Sequence, residues 1–416
     1  MNPRALSTLD AFFLAYQRRA QIAMHMGVTL TLDGELSRDV LENALAQLIT
    51  RWPALGAPVT RRGFGLAQGH ATPAHASALL VPLRSHEDLS RARNTLLDPL
   101  SQAPLRLYWH EAPGEHTLVL CVHHALMDGE GVMAVILALL RALTGEPLAE
   151  RAAETPANSL ANHPAWSTML RAQAQRNRRD RARTPSRLAL GLIAPGPLEV
   201  HSEHLTGSSL TALRARADRA GVSLSAWIIA AWIHALHAHV VPSGPVSVEV
   251  PVSLRARNRT PDALGNHVAP ITFWSETQRD TEAIAKQIRS DFRHAIQSGM
   301  HLVDALTTAP IAKLPWALFE RVVVNADTTG NATSHVAALR LPRPLTAHKA
   351  SPLRLRAWQP FSPVCLRMGV ALTAIDAHDE LMLSLTYRTH SISQNAAQDL
   401  TASLMTELLA PHTAQS

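Results

Sequence analysis

The chain has 416 residues, of which 46% are apolar and 17% charged, and its formal net charge of +6 corresponds to a pI near 10.0. This length predicts two or three domains around a large buried core, and the composition is that of an ordinary soluble globular protein. No apolar run approaches the roughly 18 residues that cross a bilayer, and the N-terminus shows no secretory cleavage site, so we expect a cytoplasmic protein.

The predicted elements of the first half alternate strands with helices. Met26 to Leu32 and Leu118 to Val122 have the composition of buried strands, and Asp33-Gly34 predicts a turn after the first of them. Ser37 can cap a helix that ends at Trp52-Pro53. Gly131 to Leu143 reads as a buried helix, because its apolar residues recur at helical spacing.

From about Thr144 to Pro197 this pattern gives way to proline, alanine and arginine. We therefore predict two units, residues 1–170 and 198–416, joined by a basic linker over residues 171–197. The second unit also mixes helices and strands. Its predicted elements are helices over Ser209–Ala220 and Ser225–His239, a strand over Val246–Val250, and a hairpin of strands Val364–Leu372 and Leu381–Tyr387 around a loop at 376–380.

The basic character is concentrated between Arg171 and Arg187, where seven arginines accompany one acid, Asp180. This stretch has no interleaved aromatic residues and no zinc or helix-turn-helix signature, so nucleic acid is not an expected partner. We interpret the stretch as a solvated linker or exposed helix. The alternative is contact with an anionic partner or a membrane surface, which would make the protein peripheral at the membrane.

The residues that carry chemistry are His123-His124-Ala125-Leu126-Met127-Asp128-Gly129, an HHxxxDG motif between a predicted strand and a predicted helix. A neutral imidazole can take a proton from an alcohol or amine as it attacks a carbonyl group. His124 is the stronger candidate for this base because it adjoins the turn, and His123 is catalytic or structural. Asp128 could orient the imidazole directly or hold the loop by pairing with an arginine. Gly129 leaves space beside the base or supplies a dihedral that other residues avoid, and the helix that begins there adds a positive dipole end.

Other constellations are weaker. His234, His237 and His239 share one predicted helix, but no carboxylate or cysteine completes a ligand set, so no metal is expected. The sequence has no GxSxG elbow, GxGxxG turn or Walker loop, which disfavours covalent serine and nucleotide-dependent mechanisms. Cys121 and Cys365 lie in apolar runs, which excludes a disulfide framework and predicts buried, reduced thiols.

HHALMDG and its surroundings resemble the superfamily of chloramphenicol acetyltransferase, peptide-synthetase condensation domains and wax ester synthase/diacylglycerol acyltransferases, most of all the last branch. Arg106 stands where that branch has tryptophan, and Asp327-Thr328-Thr329 replaces its proline-glycine turn. These departures leave the expected chemistry unchanged but argue against long-chain lipid substrates. The matching segments, spread over residues 6 to about 390, are Leu6–Leu14 (LSTLDAFFL), Met24–Gly27 (MHMG), Ala103–Arg106 (APLR), Pro251–Arg255 (PVSLR), Leu264–Asn266 (LGN) and Val322–Gly330 (VVVNADTTG).

The resemblance implies an α/β fold of two chloramphenicol-acetyltransferase-like lobes, each a mixed sheet flanked by helices, with a substrate tunnel between them. An acyl group would pass from acyl-CoA to a hydroxyl acceptor at His124, without a metal or another cofactor. Asp128 would be structural through an arginine, for which Arg255 is the candidate. Asn266 and Asn325 match family positions near the tunnel, where an amide could bind an oxyanion or substrate; the alternative for both is a turn-forming asparagine.

Two alternatives stay open. The acyl donor could be bound to a carrier protein, as in condensation domains, with an amine or polyketide alcohol as acceptor and the Arg171–Arg187 cluster docking the acidic carrier. The chain could also be a non-catalytic homologue that binds lipid or a partner through the same tunnel.

Overall fold

The computed structural model describes residues 5–62, 65–148, 164–181, 183, 186–188, 195–241, 244–255, 263–275, 280–303, 306, 311, 314–327, 333–341, 353–366 and 368–410. The helices are α1 (Thr8–Ala20), α2 (Arg38–Arg51), α3 (Asp88–Asn94), α4 (Gly129–Leu143), α5 (Trp166–Arg181), α6 (Gly207–Arg219), α7 (Leu224–His237), α8 (Thr281–Ser298), α9 (Trp316–Asp327) and α10 (Gln394–Leu409). The strands are β1 (His25–Asp33), β2 (Thr60–Arg62), β3 (Gly65–Ala67), β4 (Leu80–Pro82), β5 (Leu105–Ala112), β6 (Glu115–His123), β7 (Arg187–Leu188), β8 (Leu198–Thr206), β9 (Val240–Val241), β10 (Val246–Ser253), β11 (Val268–Ser275), β12 (Ser334–Arg340), β13 (Arg354–Phe361), β14 (Val370–Asp376) and β15 (Glu380–Arg388).

These elements form two large sheets, each with its own helices and its own apolar core, and two small sheets, β2-β3 and β7-β9. The first sheet has the strand order β13-β1-β6-β5-β4, and α2 and α4 pack on one of its faces. The second has the order β11-β10-β12-β14-β15-β8 and packs against α7, α8 and α10. The predicted α/β fold of two sheet-and-helix lobes is confirmed.

Local signals positioned most of the elements near the motif. Ser37 caps α2, as predicted, by accepting a hydrogen bond from the Val40 amide at 3.3 Å. Helix α4 begins at Gly129, two residues earlier than its apolar pattern predicted. The reason is that the Asp128 carboxylate accepts a hydrogen bond from the Gly131 amide at 2.9 Å, and a carboxylate is a favoured N-cap.

The hairpin β14–β15 is confirmed, but its first strand begins at Val370 and not at Val364. The chain turns between these positions, where the Met368 amide donates to the Cys365 carbonyl and Gly369 adopts a φ of 71°. The Val364 carbonyl accepts a hydrogen bond from the Arg388 guanidinium at 2.8 Å, so it does not form a strand pair.

Strand β13 does not lie in the lobe that its position in the sequence suggests. This strand lies in the second half of the chain, yet it pairs antiparallel with β1 in the first sheet, with Phe361 opposite Gly27. The segment predicted as a basic linker includes the C-terminal part of helix α5. The boundaries at residues 170 and 198 themselves stay a prediction.

Gly27 fixes the centre of the first sheet. A Cβ at this position would lie 1.7 Å from the Leu120 carbonyl oxygen and 2.7 Å from Cζ of Phe361, so only glycine permits this approach of β1, β6 and β13. The same strand pairing sets His25 directly opposite His123, the last residue of β6.

The thiols are free, as predicted; Cys121 is buried and Cys365 is only partly buried. Within the described ranges no single helix is long and apolar enough to span a membrane, although α6 and α7, which meet at 98°, pass the length and composition test as a pair.

Candidate active site

The HHxxxDG motif forms the tight connection between β6 and α4. The His124 amide donates to the Met24 carbonyl at 2.9 Å, which extends the pairing with the first strand by one residue. The Leu126 amide then donates to the His123 carbonyl at 3.0 Å and closes a turn. This turn delivers Asp128 to the N-cap of α4 and leaves His124 at the end of the sheet.

The hydrogen bond at Nδ1 of His124 sets the tautomer of its ring. Nδ1 lies 3.1 Å from the Met127 carbonyl oxygen, which can only accept, so Nδ1 carries the proton and Nε2 keeps its lone pair. Phe13 from α1 stacks on the ring, with 3.6 Å between centroids and an angle of 9°. The imidazole is therefore held in one orientation, with its basic nitrogen directed away from its own turn.

The surroundings of His124 keep its imidazole neutral. Burial lowers the pKa of His124 to about 4, although hydrogen bonds and the Asp128 charge act in the opposite direction. His335 of β12, in the second lobe, lowers the pKa of His124 further by charge repulsion. The side chain keeps partial solvent exposure. A histidine in this state is an unprotonated base at neutral pH.

His123 belongs to a buried histidine pair on the other face of the first sheet. Its Nδ1 accepts a hydrogen bond from the Ala125 amide at 3.1 Å, so Nε2 carries the proton. In His25, Nε2 lies 2.7 Å from the Arg93 carbonyl and must donate, which leaves the lone pair on Nδ1. His123 Nε2, a donor, and Nδ1 of its strand partner His25, an acceptor, are both buried and have no hydrogen-bond partner among the described residues. Burial lowers the pKa of both rings.

This arrangement separates the roles of the two motif histidines. His123, the last residue of β6, is fully buried, whereas His124, which begins the turn, is only partly buried. His123 thus supports the turn from beneath, and His124 is the histidine that can meet a substrate.

Asp128 pairs with Arg255, which follows β10 of the second lobe. Its Oδ1 accepts from Nη2 of Arg255 at 2.7 Å and from Nε at 3.0 Å, and its Oδ2 accepts from the His267 amide at 2.8 Å. The side chains of Asp128 and Arg255 are only 2% and 3% exposed. Of the two roles open to the aspartate, the structure has the arginine pair; in the described hydrogen bonds the carboxylate does not contact the His124 ring.

The motif's glycine and its successor differ in how much space they provide. A Cβ at Gly129 would meet only Leu339 Cδ1, at an ordinary 3.4 Å, and its φ lies outside the left-handed region, so no special dihedral is needed. A Cβ at Gly131 would lie 2.8 Å from Cβ of Met127 and 2.9 Å from Nη2 of Arg255. Gly131, which the sequence reasoning missed, is the glycine that lets Arg255 reach Asp128; the DGEG spacing was the available signal.

Asn266 connects three elements at the base of the site. Its side-chain nitrogen donates to Oδ1 of Asp10 at 2.8 Å and to the His124 carbonyl at 2.7 Å, and its backbone amide donates to the same Asp10 oxygen at 2.9 Å. Both amide protons are therefore used to position the turn, and a role in substrate binding stays a prediction. Asn325 lies in α9, and its side chain is outside the described residues.

Asp10 is a site residue that sequence reasoning missed. It is completely buried in α1, where it forms a capping box with Ser7. The S-x-x-D spacing of LSTLD was the readable signal for this cap. Phe13, which stacks on His124, and His335, whose charge lowers its pKa, had no comparable signal, because both come from segments distant in the sequence. In the part of the chain that the structure describes, no cluster of histidine, cysteine and acidic residues could hold a metal ion.

Comparison with solved structures defines the class of fold. No family model and no curated protein matches the sequence. TRI3 trichothecene 15-O-acetyltransferase from Fusarium sporotrichioides superposes with a TM-score of 0.71 at 12% identity, covering 98% of this chain and 95% of that one. The first condensation domain of the CDA synthetase gives 0.70 at 15% identity, covering 99% and 97%. Polyketide synthase associated protein 5 from Mycobacterium tuberculosis gives 0.65 at 17% identity, covering 97% of both chains.

The chain therefore has the two-lobed fold of condensation domains and chloramphenicol-acetyltransferase-like proteins over nearly its whole length. This agrees with the superfamily that the motif resembles. The tunnel between the lobes and the wax ester synthase branch stay predictions.

Removing Arg255 should destabilise the seam between the lobes, where the turn that carries Asp128 meets the segment that carries Arg255. We expect Arg255→Met to lower the free energy of unfolding by about 3–5 kcal/mol, because it leaves the buried Asp128 carboxylate without its counter-charge. Arg255→Lys should keep only part of this stability, since an ammonium group cannot reproduce the planar fork of donors of a guanidinium. Denaturant unfolding measures both, with Arg356→Met as the control: this arginine is 61% exposed, and its pairs should contribute less than about 1 kcal/mol. Equal effects of Arg255→Met and Arg356→Met would contradict the assignment.

Proposed function

We propose that this protein is an acyltransferase that moves an acyl group from a thioester to a hydroxyl acceptor, with His124 as general base. The observation that carries the proposal is the fixed tautomer of His124, with Nδ1 bound to the Met127 carbonyl and a neutral Nε2 free to accept a proton. The fold supports it, because the structural neighbours include an O-acetyltransferase and condensation domains.

In the proposed reaction Nε2 of His124 takes the proton of the acceptor hydroxyl as its oxygen attacks the thioester carbonyl carbon. A C–O bond forms, and the tetrahedral intermediate then expels the thiolate as the C–S bond breaks. The thiolate takes the proton from Nε2, which returns the imidazole to its neutral state. No acyl-enzyme forms, so both substrates must be bound together.

Asp128 and Arg255 support this chemistry as positioning residues. Their pair fixes the start of α4 and the segment around Gly265, whose amide donates to the Leu126 carbonyl. That segment in turn pairs with Met127, the residue whose carbonyl holds Nδ1 of His124. The Asp128 charge also raises the pKa of His124, so it stabilises the imidazolium that forms during the reaction.

A cavity of about 440 Å³ in the second lobe supports a donor of the coenzyme A type. Its walls are mainly apolar and come from α7, β10 and α8. Arg289 and Arg293, both exposed, line it beside the N-terminus of α7 at Ser223. It includes Ser253, whose hydroxyl donates to Glu130, two residues beyond Asp128. A mainly apolar cavity with two exposed guanidinium groups suits a phosphopantetheine arm and its phosphates.

Within this proposal we favour acyl-CoA and an alcohol, the substrates of the wax ester synthase/diacylglycerol acyltransferase branch, on the strength of the sequence resemblance. A carrier-bound donor is the second candidate, and the exposed Arg171 and Arg178 of α5 offer an acidic carrier a positive surface. A cytoplasmic location with peripheral lipid contact is part of the same proposal.

Replacing the base tests the function directly. We expect His124→Ala to reduce the rate of thiol release by about 10²–10⁴-fold, the usual contribution of a general base. The measurement uses a panel of acyl-CoAs crossed with acceptor alcohols, in parallel with the same acyl groups on a carrier protein. The matched control is His110→Ala, which replaces a partly exposed histidine of β5, and thermal unfolding shows whether both variants are folded.

A panel in which neither donor type releases thiol with any acceptor would overturn the transferase proposal and favour a non-catalytic binding protein. Release from the carrier alone would keep the chemistry and exchange the donor. An unchanged rate of thiol release by His124→Ala would mean that His124 is not the general base.

The pH dependence follows from the lowered pKa of His124. Because the neutral imidazole is the active form and the pKa lies near 4, we expect kcat/KM to be constant from about pH 5.5 to 8 and to fall only in more acidic solution. Circular dichroism at each pH separates this limb from acid unfolding. A fall of kcat/KM centred near the ordinary histidine pKa, about 6.5, would mean that the His124 ring is solvated and that the base is not desolvated as we propose.

The cavity arginines provide a test of the donor site. We expect the double variant Arg289→Gln/Arg293→Gln to raise KM for acyl-CoA at least about tenfold with little change in kcat, because each charge-assisted hydrogen bond to a phosphate contributes about 1.5–3 kcal/mol. An acyl-N-acetylcysteamine thioester, which has no phosphates, should keep its KM. Lys286→Gln on the same helix is the charge control. An unchanged KM for acyl-CoA would place the donor elsewhere.

A further inference from the structure

A second cavity, of about 610 Å³, lies in the first lobe between β4, β5 and the segment around α3. It is on the face of the first sheet opposite α4. Leu105 and Leu107 of β5 point into the core shared with α2 and α4, whereas the alternating Arg106 and Tyr108 line the cavity. The cavity shares no lining residue with the donor cavity of the second lobe.

Arg106 is the unusual group in this cavity. Its guanidinium is partly buried and donates to the Leu105 carbonyl at 3.1 Å and to Oε1 of Gln102 at 3.0 Å, both of which are neutral. No carboxylate of the described residues forms an ion pair with it. Burial lowers the pKa of Arg106, which reflects the same lack of compensation. A partly desolvated cation without a counter-ion is costly, and a bound anion would recover that free energy.

The rest of the lining also favours an anion. Arg84 and Arg91 contribute two further exposed guanidinium groups. The cavity contains one acid, Asp88, and its carboxylate already accepts from Arg91 at 3.0 Å and from the Arg84 amide at 3.2 Å. Three arginines therefore face a single carboxylate that is already paired.

The walls specify the rest of the ligand. Val81, Leu83 and Leu97 form an apolar surface beside Arg106, and Leu96, which is 38% exposed, extends this surface to the solvent. Burial raises the pKa of Tyr108 to about 12, so its hydroxyl stays protonated and can donate to an anion. A free inorganic anion would leave these apolar walls hydrated, whereas an alkyl chain would cover them.

We propose that this cavity binds a free medium-chain carboxylate, with the carboxylate on Arg106 and the alkyl chain along the leucine wall. A carboxylate matches the planar fork of a guanidinium and can accept two hydrogen bonds from it. The volume lies within the range of small-molecule sites. No residue of the HHxxxDG motif lines this cavity, and the proposal stands independently of the acyl-transfer function.

Calorimetric titration of the full chain with decanoate tests the site, with 1-decanol and acetate as the two partial ligands. We expect decanoate to bind at least about tenfold more tightly than either, because only decanoate has both the charge and the chain. Arg106→Gln should weaken decanoate binding by about tenfold or more and leave decanol binding unchanged. Arg61→Gln, an exposed arginine outside the cavity, is the matched control.

Tyr108→Phe, which keeps the ring in its place, is the second variant and should weaken decanoate binding severalfold. It tests the site even where Arg106→Gln does not fold. Equal affinity for decanoate and decanol, or an unchanged affinity in both variants, would overturn the proposal. His124→Ala and Arg289→Gln/Arg293→Gln should bind decanoate as the unaltered protein does. Loss of decanoate binding in those variants would assign the ligand to the acyl-transfer site and not to this cavity.

Discussion

The buried ion pair of Asp128 and Arg255 is the interaction on which the candidate site depends. One partner caps the first helix after the motif, and the other follows a strand of the second sheet, so the pair joins the two lobes where the HHxxxDG turn lies. An unpaired charge in this position would be strongly unfavourable, which means that the turn and the seam form together or not at all. Gly131 leaves the space that brings the two side chains within 2.7 Å.

Desolvation assigns different tasks to three neighbouring histidines. His25 and His123 are neutral rings inside the first lobe, where backbone groups fix their tautomers. His124 is neutral for the same reason, but its ring reaches the seam, and its remaining nitrogen is not used by the turn. A base of this kind is ready to accept a proton at neutral pH without an aspartate on its ring. The carboxylate of the motif contributes through the fold and through its charge at a distance.

The segments that resemble the acyltransferase superfamily have identifiable physical tasks. Asp10 of the first segment binds Asn266 of another, and together they hold the carbonyl of His124. Gly27 lets three strands approach closely and aligns His25 with His123. Arg106, which differs from the tryptophan of the branch that the sequence resembles, puts a charge into the cavity of the first lobe. The shared segments thus maintain the turn, and the departure changes a different face of the lobe.

The sequence alone determined the elements near the motif and the candidate for the base. Caps at Ser37, the apolar periods of β6 and α4, and the position of His124 at a strand end are local properties, because each depends on neighbours within a few residues. The tertiary structure decided the relations between distant segments: β13 in the first sheet, Phe13 on the His124 ring, the effect of His335 on the pKa of that ring, and Asn266 bound by Asp10. Local periodicity cannot encode these relations, since they arise only when the tertiary fold brings together residues that are more than a hundred positions apart in the sequence.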